Sequence, residues 1–334
     1  MSANEHISSI RAKIFEEHTP ESFNALALQI FRYQARENPV YSQYLEHLGT
    51  DISAIYDYTR IPFLPIGFFK TARVVAGKFE PDSTFTSSGT SGMQPAKHYV
   101  KDLSLYNESF LHAFRRGYGD PSEYRILALL PSYLERSGSS LVYMVDALIK
   151  QGDHAESGFF LDNLDVLAEI LKECSERKVK TMLIGVSFAL LDFAEQHAFH
   201  LGDNIIIMET GGMKGRRVEI TREELHSKLK GAFGLTAIHT EYGMTELLSQ
   251  AYSKRDGKLV PPPWMKIVIR DVQDPFSLLQ HEKTGALNII DLANMHSCAF
   301  IETQDLGKAY SDGSFEVLGR TDHSDVRGCS LMFS

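Results

Sequence analysis

Alternating strand and helix patterns dominate the middle of the chain. Short apolar runs at residues 125–130, 180–184 and 204–208 are typical of buried strands. The segments around them repeat apolar residues with the helical period, which predicts helices over residues 103–116, 139–151, 163–176 and 186–198. Because strands that alternate with helices are typical of α/β proteins, the pattern predicts a buried sheet covered by helices.

The ends of the chain have other patterns. Residues 21–37 predict an amphipathic helix, whereas residues 61–70 are apolar but contain two prolines, which favours an extended segment lying on the core. Shorter strands are predicted at residues 265–270, 286–290 and 314–318. The C-terminal third is therefore expected to be an antiparallel or mixed part of an α/β fold.

One helix start has a clear capping signal. Thr221 and Glu224 have the spacing of a capping box, and Ile220 and Leu225 occupy the two positions of a hydrophobic staple. These four residues predict a helix that begins at residues 221–222.

Composition and charge limit the class of protein. The chain has 334 residues, of which 43% are hydrophobic, so it can bury a large core. The formal net charge of -9, without a long basic run, argues against nucleic-acid binding. The N-terminus lacks the features of a signal peptide, and no apolar run approaches the length of a membrane span. An odd and sparse set of three cysteines fits a reducing cytoplasm, which is the expected location.

A cluster of hydroxyl residues is the first candidate for ligand binding. Residues 86–92, here called the hydroxyl loop, contain three serines, two threonines and two glycines. Glycines allow close approach of the backbone, and exposed amides with hydroxyls form anion sites. The spacing differs from that of the P-loop motif, because no Gly-Lys-Ser/Thr follows. The alternatives are a phosphate-binding loop and a flexible turn.

Two later segments favour the phosphate-binding alternative. Residues 239–246 place an aromatic ring, a glycine, a hydroxyl and a carboxylate within five positions, and residues 319–322 read Gly-Arg-Thr-Asp, with Asp305 upstream. In this order, the three segments resemble those of the adenylate-forming superfamily. That superfamily includes acyl-CoA synthetases, peptide-synthetase adenylation domains and firefly-type luciferases.

Within that superfamily the chain resembles the lux-type acyl-protein synthetases of bacterial fatty-acid reductase complexes. This resemblance rests on residues 61–65, 69–70, 130–136, 139–143 and 326–330 together with the hydroxyl loop. It implies the large N-terminal-type domain of adenylate-forming enzymes, an α/β fold with layered helices and mixed sheets. The small C-terminal lysine-bearing domain is expected to be absent.

The resemblance also implies a division of the chain. We expect an adenylate-forming core at residues 1–320 and a hinge-like tail at residues 321–334. The superfamily's small domain supplies a catalytic lysine, and the substitute for it stays open between Lys97, Lys214 and a partner protein.

ATP and Mg²⁺ are the cofactors that the resemblance implies. Thr245 is expected to bind phosphate, Glu246 to hold Mg²⁺, and Arg320 to contact ribose or phosphate. Mg²⁺ prefers carboxylate and phosphate oxygens, so Glu246 is a chemically reasonable ligand. The alternative for Glu246 is a surface glutamate at a helix start. The other residues expected to contact the nucleotide are Thr86, Ser87, Ser88, Gly89, Thr90, Ser91, Gly92, Lys97, Gly211, Gly212, Tyr242, Gly243, Asp305 and Asp322.

Several of these residues have simpler alternatives. Tyr242 is expected to stack on adenine but could be a core aromatic, and Lys97 could be a solvated lysine. Asp305 is expected to accept hydrogen bonds from both ribose hydroxyls. Taken singly, Asp305 and Arg320 could belong to ordinary turns.

Acyl binding and transfer are assigned to another group of residues. Tyr133, Ser137 and His239 are expected to bind the acid, although His239 could be a core histidine. In the lux-type family a cysteine close to the C-terminus accepts the acyl group, and Cys329 has that position here. The alternative for Cys329 is a small buried hydrophobe. The other two cysteines, Cys174 and Cys298, are expected to be structural.

These expectations combine into one predicted function. The protein is expected to be an ATP-dependent acid–thiol ligase that converts a carboxylic acid, with a fatty acid as the expected class, to an acyl-adenylate. The acyl group then passes to Cys329 and on to an acyl-CoA-reductase-like partner protein. The alternatives are a phenylacetate-type acyl-CoA ligase and a non-catalytic nucleotide-binding subunit of a reductase complex.

Overall fold

A computed structural model describes residues 3–88, 94–131, 138–211 and 220–320. The chain forms two compact units. Unit 1 comprises residues 1–80 and 263–334, and unit 2 comprises residues 81–262. The prediction of a core at residues 1–320 and a tail at residues 321–334 stays a prediction.

The elements alternate through much of the chain, as the apolar pattern predicted. The helices are α1 (Ala3–Lys13), α2 (Pro20–Glu37), α3 (Pro39–His47), α4 (Phe68–Thr71), α5 (Leu103–Tyr118), α6 (Ser140–Gly152), α7 (Leu164–Glu176), α8 (Ser187–Gln196) and α9 (Arg222–Phe233). The strands are β1 (Leu64–Pro65), β2 (Ser83–Thr86), β3 (Lys97–Val100), β4 (Arg125–Leu129), β5 (Gly158–Phe159), β6 (Thr181–Val186), β7 (Ile205–Thr210), β8 (His239–Tyr242), β9 (Ala251–Ser253), β10 (Met265–Arg270), β11 (Gly285–Asp291), β12 (Phe300–Ala309) and β13 (Phe315–Arg320).

Unit 2 is built on a six-stranded sheet with the order β5-β4-β6-β7-β8-β9. Strands β5, β4, β6, β7 and β8 are parallel, and β9 is antiparallel to β8. All residues of β6 are buried, which explains its continuous apolar sequence, since helices cover both faces of such sheets. A separate two-stranded hairpin joins β2 to β3.

Unit 1 contains a sheet with the order β1-β12-β11-β10, and β13 also pairs with β12. Only β1 runs parallel to its neighbour; the other pairs are antiparallel. Within this unit, helix α2 packs against the sheet through Phe31, whose ring contacts that of Phe300 edge to face. The buried Gln34 amide donates to the carbonyls of Asn294 and Met295, so its polar group is satisfied inside the core. The predicted mixed character of the C-terminal third is confirmed.

The helix signals are confirmed, with one difference at the capping box. The Thr221 hydroxyl accepts from the Glu224 amide at 3.2 Å, and α9 begins at the next residue. The Glu224 carboxylate instead lies 3.0 Å from Lys228 Nζ, one turn along the helix. The start of the helix is therefore confirmed through the Thr221 arm of the box.

One local expectation and one alternative are wrong. Residues 61–70 are extended only in part: β1 pairs with β12, but residues 68–71 form the short helix α4. Asp305 and Arg320 do not lie in turns, because they belong to strands β12 and β13. Strand β12 escaped the sequence pattern because three of its buried positions are Thr303, Asp305 and Gly307, which carry no apolar signal.

Candidate functional site

The carboxyl ends of the parallel strands in unit 2 meet at one edge of the sheet, here called the carboxyl edge. Residue 130 follows β4, Ser187 follows β6, Gly211 follows β7 and Gly243 follows β8. In open α/β sheets, ligands bind in the crevice outside these strand ends. The edge also receives the predicted Thr245–Glu246 pair, since that pair follows β8 directly.

The β2–β3 hairpin presents the hydroxyl loop. The Ser87 amide donates to the Ala96 carbonyl at 3.1 Å, and the Ala96 amide donates to the Ser87 hydroxyl at 2.9 Å. These two bonds close the neck of the loop. Thr86 and Ser87 are half-buried there, Ser88 is exposed, and Gly89, Thr90, Ser91 and Gly92 lie outside the described residues.

Hydrogen bonds at two points, one on each strand, attach this hairpin to the carboxyl edge. The Thr86 amide donates to the carbonyl of Gly138, in the segment after β4, at 2.7 Å. A β-carbon at Gly138 would lie 2.8 Å from Thr86 Oγ1, so glycine allows this close approach. On the other strand of the hairpin, His98 Nδ1 lies 2.8 Å from the Thr245 carbonyl. The loop neck and the Thr245–Glu246 pair are therefore neighbours.

Glu246 lies in a buried turn. The Leu247 amide donates to the Met244 carbonyl at 3.1 Å, and Leu247 is fully buried. Glu246 is 7% exposed, and no described helix begins at this turn, so the alternative of a surface glutamate at a helix start is wrong. Buried carboxylates are usually paired or coordinate cations. The environment of Glu246 therefore fits a residue that acts through its charge.

The residues before this turn have defined surroundings. Tyr242 is half-buried rather than a core aromatic, and its hydroxyl donates to Met244 Sδ at 3.6 Å. A β-carbon at Gly243 would come within 2.6 Å of Glu241 Oε1. The absence of a side chain at Gly243 leaves room for that buried carboxylate.

Gly211 is held by residues that the sequence motifs did not single out. The Ser187 hydroxyl donates to the Gly211 carbonyl at 2.8 Å and lies 3.3 Å from Glu209 Oε2. Glu209 Oε1 lies 3.5 Å from Arg222 Nε and 3.6 Å from His226 Nε2. Glu209 is 4% exposed, so β7 ends with a buried charged cluster below Gly211. The sequence signal that could have found this cluster is Glu209 itself, a carboxylate at the end of an apolar strand.

His239 lies at the start of β8 and is half-buried. Burial, with Lys254 and His226 as lesser causes, lowers the pKa of this imidazole to about 4. Its Nδ1 lies 3.0 Å from the Tyr118 hydroxyl. The imidazole is therefore neutral at physiological pH and acts as a hydrogen-bonding group rather than as a charge.

Asp305 and Arg320 lie in unit 1 and face each other across β12 and β13. Arg320 Nε lies 3.2 Å from Asp305 Oδ1, and the Asp305 amide donates to Thr303 Oγ1 at 3.1 Å. Asp305 is buried, whereas the Arg320 side chain is 69% exposed. The ion pair fixes the position of the Asp305 carboxylate, while most of the Arg320 side chain is exposed to solvent.

The remaining predicted residues divide into three groups. Lys97 is exposed, as its solvated alternative expects. Cys174 and Cys298 are buried and free of disulfides, and burial raises the pKa of the Cys298 thiol to about 12, so the structural assignment of both is confirmed. Besides residues 89–92, the predicted residues outside the described ranges are Tyr133, Ser137, Gly212, Lys214, Asp322 and Cys329.

The described residues contain neither a cluster of metal-binding side chains nor a membrane-spanning helix. Among residues 3–88, 94–131, 138–211 and 220–320, no group of three or more His, Cys, Asp or Glu side chains could hold a metal ion. Mg²⁺ is usually bound by one or two carboxylates plus substrate phosphates, so Glu246 would be a chemically suitable ligand if a nucleotide supplied the remaining oxygens. No described helix is long and apolar enough to cross a membrane.

Comparison with known proteins gives matches among solved structures. No protein-family model matches the sequence, and no curated protein matches it. ATP-bound MatB from Rhodopseudomonas palustris is similar at 15% identity and a TM-score of 0.53, over 75% of this chain and 50% of that chain. A 2-hydroxyisobutyryl-CoA ligase, in complex with 2-HIB-AMP and CoA, is similar at 12% identity and a TM-score of 0.64. That match covers 92% of this chain and 72% of the ligase.

A third structure has a ligand set that matches the expected cofactors. O-succinylbenzoate coenzyme A synthetase (MenE) from Bacillus subtilis, in complex with ATP and magnesium, is similar at 19% identity and a TM-score of 0.50. The match covers 71% of this chain and 49% of MenE. The chain thus spans about half the length of the MatB and MenE structures. At these identities the likeness concerns the fold, and the chain has the α/β fold of these ATP- and AMP-binding ligases, as the sequence predicted.

Proposed function

We propose that the protein activates a carboxylic acid with MgATP and then holds the acyl group as a thioester on Cys329. A fatty acid is the proposed class of substrate, and an acyl-CoA-reductase-like protein is the proposed acceptor. A reducing cytoplasm is the proposed location, since the reaction needs a free thiol.

The observation that supports this proposal is the hydrogen-bonded approach of the hydroxyl loop neck to the Thr245–Glu246 turn. A loop of hydroxyls and amides binds phosphate, and a buried carboxylate beside it holds the accompanying cation. The neck of the first of the three sequence segments that suggested ATP binding and the Thr245–Glu246 turn of the second are thus neighbours at the sheet edge where α/β proteins bind ligands.

The first chemical step joins the acid to AMP. A carboxylate oxygen attacks the α-phosphorus of ATP, the new phosphorus–oxygen bond forms, and the bond to the leaving pyrophosphate breaks. Such a reaction depends on neutralising negative charge and on holding the reactants in line. We assign charge neutralisation to Mg²⁺ on Glu246, and phosphate binding to Thr245 and the hydroxyl loop. From the sequence resemblance, we assign ribose binding to Asp305 and Arg320.

The second step transfers the acyl group. The Cys329 thiol loses its proton, its sulfur attacks the acyl carbonyl, and AMP leaves with the electron pair of the broken carbon–oxygen bond. The thiolate is the nucleophilic form of cysteine. The thioester then passes its acyl group to the reductase-like partner.

Intact-protein mass spectrometry tests this proposal. The protein is incubated with MgATP and a mixture of fatty and aryl acids, and the wild type is compared with Cys329→Ser. We expect an ATP-dependent increment of one acyl group in the wild type and none in the variant. An absence of both the increment and ATP–pyrophosphate exchange across the acids, with candidate partners added, would overturn the proposal.

An acyl-CoA ligase is the second candidate, because two of the similar structures are named as CoA ligases or synthetases. In that case coenzyme A is the acceptor, and Cys329→Ser keeps full turnover with it. Nucleotide binding without adenylate formation would instead favour the non-catalytic subunit.

A further inference from the structure

His98 connects two segments that are 147 residues apart in the sequence. It lies on β3, directly after Lys97, and is 1% exposed. Its Nδ1 lies 2.8 Å from the main-chain carbonyl of Thr245. A carbonyl oxygen only accepts hydrogen bonds, so Nδ1 holds the proton and the imidazole is the donor.

The imidazole is held on a rigid element. His98 pairs with Phe85 across the β2–β3 hairpin, and Phe85 is fully buried against the ring of Tyr106, with 5.5 Å between ring centroids. The hairpin also ends at the loop neck, because Thr86 and Lys97 form the last pair of the two strands. The position of His98 is therefore tied to that of the loop neck.

The acceptor of this bond lies in the turn that contains Glu246. The Leu247 amide closes the turn onto Met244, so the Thr245 carbonyl and the Glu246 side chain belong to one short hydrogen-bonded unit. A bond to Thr245 O consequently limits how far Glu246 can move from the hairpin.

We propose that His98 is a positioning residue that sets the spacing between the neck of the hydroxyl loop, at Thr86 and Ser87, and the turn that carries the Glu246 carboxylate. The inference rests on the proposed function, in which phosphate oxygens bind the loop and Mg²⁺ binds Glu246. A fixed spacing lets one MgATP contact both without an entropic cost of ordering them at binding.

Two variants separate the hydrogen bond from the packing. His98→Leu fills a similar volume without a donor, whereas His98→Asn keeps an N–H at the position of Nδ1. The loss of a buried hydrogen bond predicts about a tenfold increase in the Kd for MgATP in His98→Leu. In His98→Asn we expect an increase below about threefold, because the donor remains. Calorimetry with MgATP measures both values, and the KM for the acid is expected to stay unchanged in both.

Tyr124→Phe is the matched control. The Tyr124 hydroxyl donates to the Tyr118 carbonyl at 2.8 Å, so this variant also loses a buried side-chain to main-chain bond of unit 2. Tyr124 precedes β4, at the opposite edge of the sheet from Thr245. We expect Tyr124→Phe to lower stability while leaving the Kd for MgATP unchanged.

Hydrogen exchange in the ligand-free protein gives a readout that does not need ATP. We expect faster exchange of the amides at residues 243–247 in His98→Leu, and wild-type exchange there in Tyr124→Phe. Wild-type MgATP affinity in His98→Leu would overturn the inference and leave the proposed function standing. A wild-type protein that does not bind MgATP would overturn the proposed function and, with it, the positioning role.

Discussion

The two edges of the six-stranded sheet differ in the burial of their charged side chains. At the amino edge, Lys180 Nζ pairs with Glu123 Oε2 at 2.6 Å, and about half of each side chain is exposed. At the carboxyl edge, Glu209, Glu241 and Glu246 are all buried. Exposed pairs keep their hydration, whereas a buried carboxylate loses it and needs compensation.

The amino edge shows that an opening alone does not make a candidate site. A cavity of about 450 Å³ lies there, and its lining residues are Tyr124, Lys178, Lys180, Asp203, Asn204 and Ile206. One of its two lysines, Lys180, already has a carboxylate partner and lies over the Tyr124 ring. The buried carboxylates lie at the carboxyl edge instead. Because buried charged groups stabilise a fold poorly and are common at functional sites, their location favours the carboxyl edge as the site of chemistry.

Glu246→Gln is expected to have the largest effect at the carboxyl edge. The amide keeps the shape but loses the charge that we assign to Mg²⁺, so the rate of ATP–pyrophosphate exchange should fall about a hundredfold or more. The matched control is Glu123→Gln at the amino edge, which should retain wild-type exchange. Equal rates in the two variants would remove the functional distinction between the edges.

Glu209→Gln is expected to act on stability. The substitution removes the negative charge that faces Arg222 and His226 within the protein. Breaking a fully buried pair costs about 3–5 kcal/mol in the free energy of unfolding, and because the Arg222 side chain is 25% exposed, we expect the lower end of that range. Urea denaturation measures the change. A free energy of unfolding equal to that of the wild type would show that the Glu209 cluster is not a stabilising feature.

His239 predicts a pH dependence of stability. Its pKa is about 4 in the folded protein and near 6.5 when unfolded, so the unfolded chain binds the proton more tightly between these values. The contribution of the neutral imidazole is complete above pH 6.5 and is lost as the pH falls towards 4. Unfolding free energies of the wild type and His239→Gln should therefore converge over that range, and a constant difference from pH 7 to pH 4 would contradict the assigned pKa.

Lys180→Met at the amino edge is expected to have the smallest effect. The ion pair with Glu123 is exposed to solvent, so it contributes little to the free energy of unfolding, and salt has little contribution to screen. The urea midpoint should match that of the wild type at low and high salt. A clear loss of stability would mean that the amino edge also depends on its charges.

Much of the fold could be predicted because apolar periodicity is local. Helix α2 was predicted from apolar residues that recur with the helical period. The strands β4, β6 and β7 were predicted from short apolar runs, and nearly all of their residues are buried. Strand β12 was missed because polar and small residues occupy its buried positions. There the burial is decided by neighbouring strands rather than by the side chains themselves.

For the site, the sequence by itself determined which residue types are present and where the motifs lie. The hydroxyl loop and the Thr245–Glu246 pair were found that way, and so was the fold class. Only the tertiary structure decided that Glu246 is buried, that His98 bonds to Thr245, and that Glu209 anchors a charged cluster. The physical reason is that burial and hydrogen bonding depend on partners distant in the chain, which no local pattern specifies.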